Sequence, residues 1–192
     1  MSASLAAAIE EPDYTVIHED GAFSIRKYPS VLVAETIVSG DQQSAGNRAF
    51  RPLFRFISGH NAPNTSIAMT APLTQEGQNI AMTAPVTQEQ QKDQWAVHFV
   101  MPAELTLDTV PSPLDSNLTI RQLPARTVAV IRYRGRWSAA SYDAHEKALR
   151  DWIDTQSLTV IGNPIWARYN SPFSLPIARR NEIWIPVKAQ EE

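Results

Sequence analysis

Arginine and aromatic side chains come together in two stretches of this 192-residue chain. The first is Arg48-Ala49-Phe50, with Phe54 one turn later. The second is Ser171-Pro172-Phe173-Ser174-Leu175-Pro176, followed by Arg179-Arg180. A guanidinium offers a bidentate fork to a carboxylate, and aromatic rings offer flat apolar walls. Together they suit a planar, apolar molecule with acidic groups at its edge. No other pair of segments supplies both ingredients. Each also has a plainer reading: Phe50 and Phe54 as ordinary core, Phe173 and Leu175 as a loop pinned to the core, and the arginines as solvated charge.

Other chemistry is thinly represented. His18, His60, His98 and His145 form no His-x-x-x-His pair of the kind that grips a metal. His145 lies on an apolar helical stripe and reads as a hydrogen-bonded core histidine, while His18 and His60 adjoin turns. Met69 and Met82 have soft sulfur ligands to offer, but methionine in an alternating strand is ordinary core filler. The chain has no cysteine, which excludes disulfides, thiolate metal sites and cysteine nucleophiles. Nucleotide-binding glycine loops and the Gly-x-Ser-x-Gly elbow are absent, and Glu35, Glu104 and Glu146 define no carboxylate pair. A non-enzymatic binding protein is therefore expected.

The net charge of −3 comes without a basic block, so no nucleic-acid partner is expected. Hydrophobic residues make up 43% and charged residues 19%, enough for a real core. No stretch reaches the roughly 20 apolar residues that span a bilayer. Residues 1–12 read as a flexible N-terminus of a cytoplasmic protein. The alternative is a signal remnant on an exported, periplasmic one. A monomer is favoured.

The elements that must position the two stretches follow from periodicity. Tyr14–Ile17, Phe23–Tyr28 and Val31–Val38 alternate as strands, with a turn at Asp20-Gly21 and a break at Pro29. A helix then buries Ala45, Ala49, Leu53, Phe56 and Ile57, capped by Asp41 or Ser44 and closed by Gly59. Pro52 lies inside it and predicts a kink or early turn. Ile67–Glu76 recurs as Ile80–Glu89, identical at nine of ten positions with a 13-residue period. Either copy has the side-chain order for one core strand, so one copy is expected in the sheet and the other beside it. Trp95–Met101 alternates as the next strand.

Beyond Pro111-Ser112-Pro113 the first half recurs. Pro29 matches Pro124, Val33 matches Val128, Ala34 matches Ala129 and Gly40 matches Gly135, all at an offset of 95. A second helix runs from Ser138 to about Thr155, and strands Ile165–Tyr169 and Glu182–Val187 complete the half. The expectation is one α+β domain. Residues 13–102 form a first β-α-β-β-type repeat, 103–117 a connector and 118–188 a second repeat. Their strands join in one distorted antiparallel sheet or barrel flanked by two helices.

Several of these segments carry a family pattern. Glu11-Pro12-x-Tyr14, Phe23–Tyr28, Ala34-Glu35-Thr36, Ile57-x-Gly59-x-Asn61, the doubled Met-Thr-Ala-Pro, Phe99-Val100-Met101-Pro102 and Arg179–Trp184 resemble the SOUL haem-binding protein family. The resemblance covers about Glu11 to Lys188, and the doubled segment looks like bacterial members. It implies binding of haem or another tetrapyrrole between the first helix, Ala45–Ile57, and the loop Ser171–Arg180. Arg48, Phe50, Phe54, Phe173, Leu175, Arg179 and Arg180 are then the candidate ligand contacts. Some members place a histidine after the strand arginine as a proposed iron ligand. This chain has Lys27 there, so no strong axial protein ligand is expected. The roles implied are carrier, buffer or sensor. The alternative is a general hydrophobic or protein-interaction module with incidental haem binding. The layout also resembles effector-binding modules built around a buried glutamate, for which Glu35 and Glu146 are the candidates.

Overall fold

Alternation along the strands gives the chain a sheet with two buried faces, and two amphipathic helices cover one of them. The computed structural model describes residues 9–63, 77–171 and 174–189. The first part contains β1 (Thr15–Asp20), β2 (Phe23–Tyr28), β3 (Val31–Ser39), α1 (Gln42–Ile57), β4 (Asn61–Ala62), β5 (Val86–Gln91) and β6 (Gln94–Val100). The second contains β7 (Ser112–Pro113), β8 (Leu118–Leu123), β9 (Arg126–Arg134), α2 (Ala139–Asp154), β10 (Leu158–Val160), β11 (Ile165–Arg168), a 3-10 turn at Pro176–Ala178 and β12 (Arg180–Ala189).

The main sheet is antiparallel, in the order β1-β2-β9-β12-β11-β5-β6-β3-β8, with β10 also on β12. It is open, with β1 and β8 at its edges, and does not close into a barrel. Under the correspondence β2/β8, β3/β9, β5/β11 and β6/β12, the order from β2 to β8 reads the same from either end. Its centre lies between β5 and β11. Consecutive strands β2 and β3 do not pair. Instead β2 pairs with β9, and β8 pairs with β3. Each half of the chain therefore completes the sheet of the other. Residues 103–117, between the two halves, contribute β7, which pairs with β4.

Helix α1 starts at Asp41, whose Oδ1 accepts from the Ser44 amide at 2.9 Å. It ends at Gly59 (φ 93°), where the amides of Gly59 and His60 return to the carbonyls of Phe56 and Arg55. That is a glycine-closed helix end, which the positive φ requires. The helix runs unbroken through Pro52. Burial of Ala49, Leu53 and Phe56 against the sheet holds it through the missing amide. Helix α2 is capped by the Ser138 hydroxyl. One core cluster contains Ala45 of α1 with Tyr142, Leu149, Trp152 and Ile153 of α2, so both helices lie on the same face. Tyr28, Val128, Val130, Ile165, Ala167 and Trp184 form the core of the opposite face.

The second copy of the duplicated segment supplies β5, which sits between β11 and β6 at the centre of the sheet. The first copy lies outside the described residues.

Candidate functional site

Residues four apart on a helix form a slowly turning row, because each residue advances 100°. Ala45, Ala49, Leu53 and Ile57 take the buried row of α1, with Phe56 buried beside it. Gln42, Gly46, Phe50 and Phe54 form the row beside it. The Phe50 and Phe54 rings stack with centroids 5.6 Å apart, and Phe50 meets Phe99 edge-on at 6.1 Å. Yet they remain 38% and 42% exposed, so they are not closed core.

Gly46 carries the row toward β11. A Cβ at this position would fall 2.7 Å from Arg168 Nη1 and 3.1 Å from Gln88 Oε1. The bare backbone is what lets the Arg168 guanidinium rest against α1. Arg168 Nε donates to Tyr142 Oη of α2 at 3.1 Å. Burial pushes the Tyr142 hydroxyl above its ordinary range, so it stays protonated. The Arg168 guanidinium also lies 4.9 Å over the Trp137 ring, and that of Arg179 lies 4.4 Å over the same ring. Arg179 Nε donates to the Ser174 carbonyl at 2.9 Å. A contact path thus runs from α1 through Arg168 and Trp137 to the loop before β12.

The remaining residues singled out from sequence lie elsewhere. Arg48 is two positions from Phe50, which places it on the far flank of α1. There its Nη1 donates to the Ser39 carbonyl at 2.9 Å. Arg180 grips Glu11 at 2.9 and 3.0 Å and also bonds Glu182, with its guanidinium 3.6 Å over the Tyr169 ring. Leu175 is 71% exposed beside the 3-10 turn. Phe173 lies outside the described residues. The structure therefore associates Phe50, Phe54 and Arg179 through two residues that the sequence reading missed, Arg168 and Trp137. The available signal was Arg168 as the one charge in the apolar strand Ile165–Arg168.

The sheet face away from the helices carries two buried ionic networks. Glu182, fully buried, accepts from Arg26 Nη1 (3.0 Å), Tyr169 Oη (2.8 Å), Trp184 Nε1 (2.8 Å) and the Arg180 fork (2.9 and 3.1 Å). Burial pushes Tyr28 beside it up to about 12. Glu35, also buried, bonds His98 Nε2 at 2.9 Å and Arg121 Nη1 at 2.9 and 3.0 Å. The hydrogen bond from His98, aided by Arg121, holds the Glu35 carboxyl below its usual range against the opposing effect of burial. Glu146 pairs with Arg150 on the surface of α2. Both buried glutamates are thus already neutralised by cations, and neither presents a free negative charge to a cationic ligand.

A cavity of about 630 Å³ opens at the end of the sheet beside Leu32, Met101 and Leu105. Its described walls include Glu10, Glu11, Asp13 and Asp108 and no lysine or arginine, which disfavours an anionic ligand. Among the described residues, no cluster of histidines and carboxylates is arranged to hold a metal ion. No helix there is long and apolar enough to cross a membrane.

Comparison with known proteins bears on this arrangement. The family model described as SOUL heme-binding protein matches residues 9–186. Heme-binding protein 2 of Homo sapiens is 28% identical over 187 residues, covering 94% of this chain and 87% of that protein. Heme-binding protein 2 of Mus musculus is 26% identical over 170 residues, covering 87% and 78%. The EcmrR C-terminal domain has a TM-score of 0.59 at 13% identity, covering 92% of this chain and 99% of that one. A protein from Listeria innocua described as a hydrolase has a TM-score of 0.54 at 13% identity, covering 95% and 94%. At that identity the likeness to the two structures shows the fold alone.

Proposed function

The chain belongs to the SOUL haem-binding protein family, and from that premise we propose that it holds haem or a related tetrapyrrole without enzymatic turnover, as a carrier, buffer or sensor. The ligand lies along the flank of α1 that faces β11 and the loop before β12. The stacked, half-exposed pair Phe50–Phe54 carries this reading. Two aromatic rings held by a helix and left open to solvent offer a preformed apolar wall, and a porphyrin face matches it. Arg179, fixed over Trp137, supplies positive charge at the other wall.

Affinity comes from apolar burial and charge, without an iron bond. In support, three of the four histidines already use a ring nitrogen within the protein, His60 toward Arg55, His98 toward Glu35 and His145 toward the Ser141 carbonyl. His145 also stacks on Tyr133 at 3.8 Å, and His18 lies over Trp152 at 6.1 Å.

Titration with haem and with metal-free protoporphyrin tests the proposal. The two should bind within about tenfold of each other, a difference below about 1.4 kcal/mol. Phe50→Ala with Phe54→Ala should weaken both ligands together. A histidine substitution that abolished haem binding and spared protoporphyrin would establish axial ligation and overturn the burial-driven site. Unchanged affinity in the double phenylalanine variant would remove the ligand from α1.

A further inference from the structure

Five buried side-chain polar atoms lack a hydrogen-bond partner among the described residues, and four lie on the helix-covered face. They are Gln42 Nε2, Tyr133 Oη, Trp166 Nε1 and Arg168 Nη2. All four can donate a proton, and three of them can only donate. Folded proteins leave few such groups unsatisfied, so a run of orphan donors without an acceptor calls for an explanation.

The four are neighbours in the seam between α1 and α2. Trp166 and Arg168 point to the same face of β11, and Trp166 stands opposite Gln88 of β5. Gln88 Nε2 donates to the Gln42 carbonyl at 2.7 Å, which brings the start of α1 over that pair. Tyr133 joins the same core cluster as Tyr142, the acceptor for Arg168 Nε. Arg168 has no carboxylate within ion-pair distance among the described residues, whereas Arg26, Arg121, Arg150 and Arg180 each have one.

We infer that this seam is a carboxylate-binding site centred on Arg168 and that it takes the acidic edge of the ligand. The inference rests on the tetrapyrrole reading above and adds its orientation. The row Gln42, Gly46, Phe50, Phe54 changes character along its length. Its first turn offers donors and the open backbone of Gly46 against Arg168, and its last two turns offer stacked rings. A planar acid laid along this row places its ring system on Phe50 and Phe54 and its carboxylates toward Gly46. Arg168 is half-buried, and its guanidinium lies against Gly46 with Nη2 still lacking an acceptor among the described residues, so the group that would meet them is already in place.

The test compares protoporphyrin with its dimethyl ester, which has the same ring and no carboxylate, by fluorescence titration of the full chain. The diacid should bind the unmodified protein at least tenfold more tightly than the diester. Arg168→Met should bring that ratio close to one by weakening the diacid alone. Gly46→Ala provides a second variant, in which only the ends of two flexible side chains, Arg168 and Gln88, must give way and alanine favours the helix over glycine. Its Cβ displaces Arg168 Nη1 and should also abolish the preference, with the thermal midpoint kept or raised. Tight and equal binding of both porphyrins to the unmodified protein would overturn the inference and leave the tetrapyrrole reading intact, the seam then holding ordered water only. A preference that survived in both variants would also overturn it and assign the carboxylates to another cation. Failure of both porphyrins to bind would dismiss the reading and the inference together.

Discussion

Removing the Glu182 carboxylate should be among the most damaging single changes in this protein. Glu182 is fully buried and accepts five hydrogen bonds, three of them from the guanidinium groups of Arg26 and Arg180. Glu182→Ala leaves Arg26, 6% exposed, as a buried cation without its counterion. It also leaves the Trp184 indole and the Tyr169 hydroxyl without an acceptor. Removing one partner of a buried ion pair costs about 3–5 kcal/mol. The total stability of a domain is about 5–15 kcal/mol. For a chain of this size, such a loss lowers the thermal midpoint by about 10 °C. Arg180 keeps a partner in Glu11, so most of the penalty falls on Arg26. Arg26→Met combined with Glu182→Leu should therefore recover much of the loss, because the charge and its counterion leave together. Urea denaturation of the two single variants and the double variant measures this. The surface pair Lys147–Asp151, with side chains 74% and 63% exposed, serves as control. If Glu182→Ala cost less than about 1 kcal/mol, as exposed pairs do, the network would be a surface-like contact and the reasoning would fail.

Glu35 should give the stability curve an acid limb. Its folded pKa lies below the ordinary 4.5, so its contribution is complete above that pH and is lost as pH falls through the lower folded value. Urea midpoints from about pH 6 to about pH 3 should fall less steeply in Glu35→Gln, and parallel curves would refute this. Asn61 ties the end of α1 to residue 78, with Nδ2 donating to Phe56 O and Gln78 O and Oδ1 accepting from Gln78 N. Asn61→Ala should cost about 1–3 kcal/mol by urea denaturation, since it leaves the buried Phe56 carbonyl without this donor and removes two part-buried bonds to Gln78, and a loss under about 1 kcal/mol would show that water replaces them. Deleting residues 64–76 removes one 13-residue copy while keeping Gly77, where a Cβ would fall 1.5 Å from the Gly59 carbonyl oxygen. Cooperative unfolding should survive, because β5 comes from the second copy, and its loss would mean that the first copy is needed for the sheet.

Local pattern alone determined much of the element inventory. Phe23–Tyr28 and Leu118–Leu123 were legible to the residue because alternation and a following proline mark both ends. Gly59 and Ser138 were legible as helix ends because caps act through neighbouring backbone groups, while the start of α1 was narrowed to Asp41 or Ser44, of which the structure takes Asp41. The duplicated segment announced one core strand with two candidate sequences, and periodicity could not choose between them. The aromatic row of α1 was also visible, since Phe50 and Phe54 are one turn apart.

Tertiary structure decided the pairing and the charges. Strands β2 and β3 are neighbours in sequence but do not pair with each other; β2 lies between β1 and the distant β9, and β3 lies between β6 and the distant β8. Arg48 looked like a ligand cation beside Phe50, but helix geometry sent it to the opposite flank. Arg180 looked available until Glu11 and Glu182 closed on it. Arg168 attracted no notice in sequence, because its standing depends on what does not approach it across 122 residues of chain from Gly46. The division has a physical cause. Hydrogen bonding within a strand, turn or cap involves groups a few residues apart, so sequence spacing encodes it. The worth of a charge depends on desolvation and on its counterion, and both are fixed only when distant strands are brought side by side.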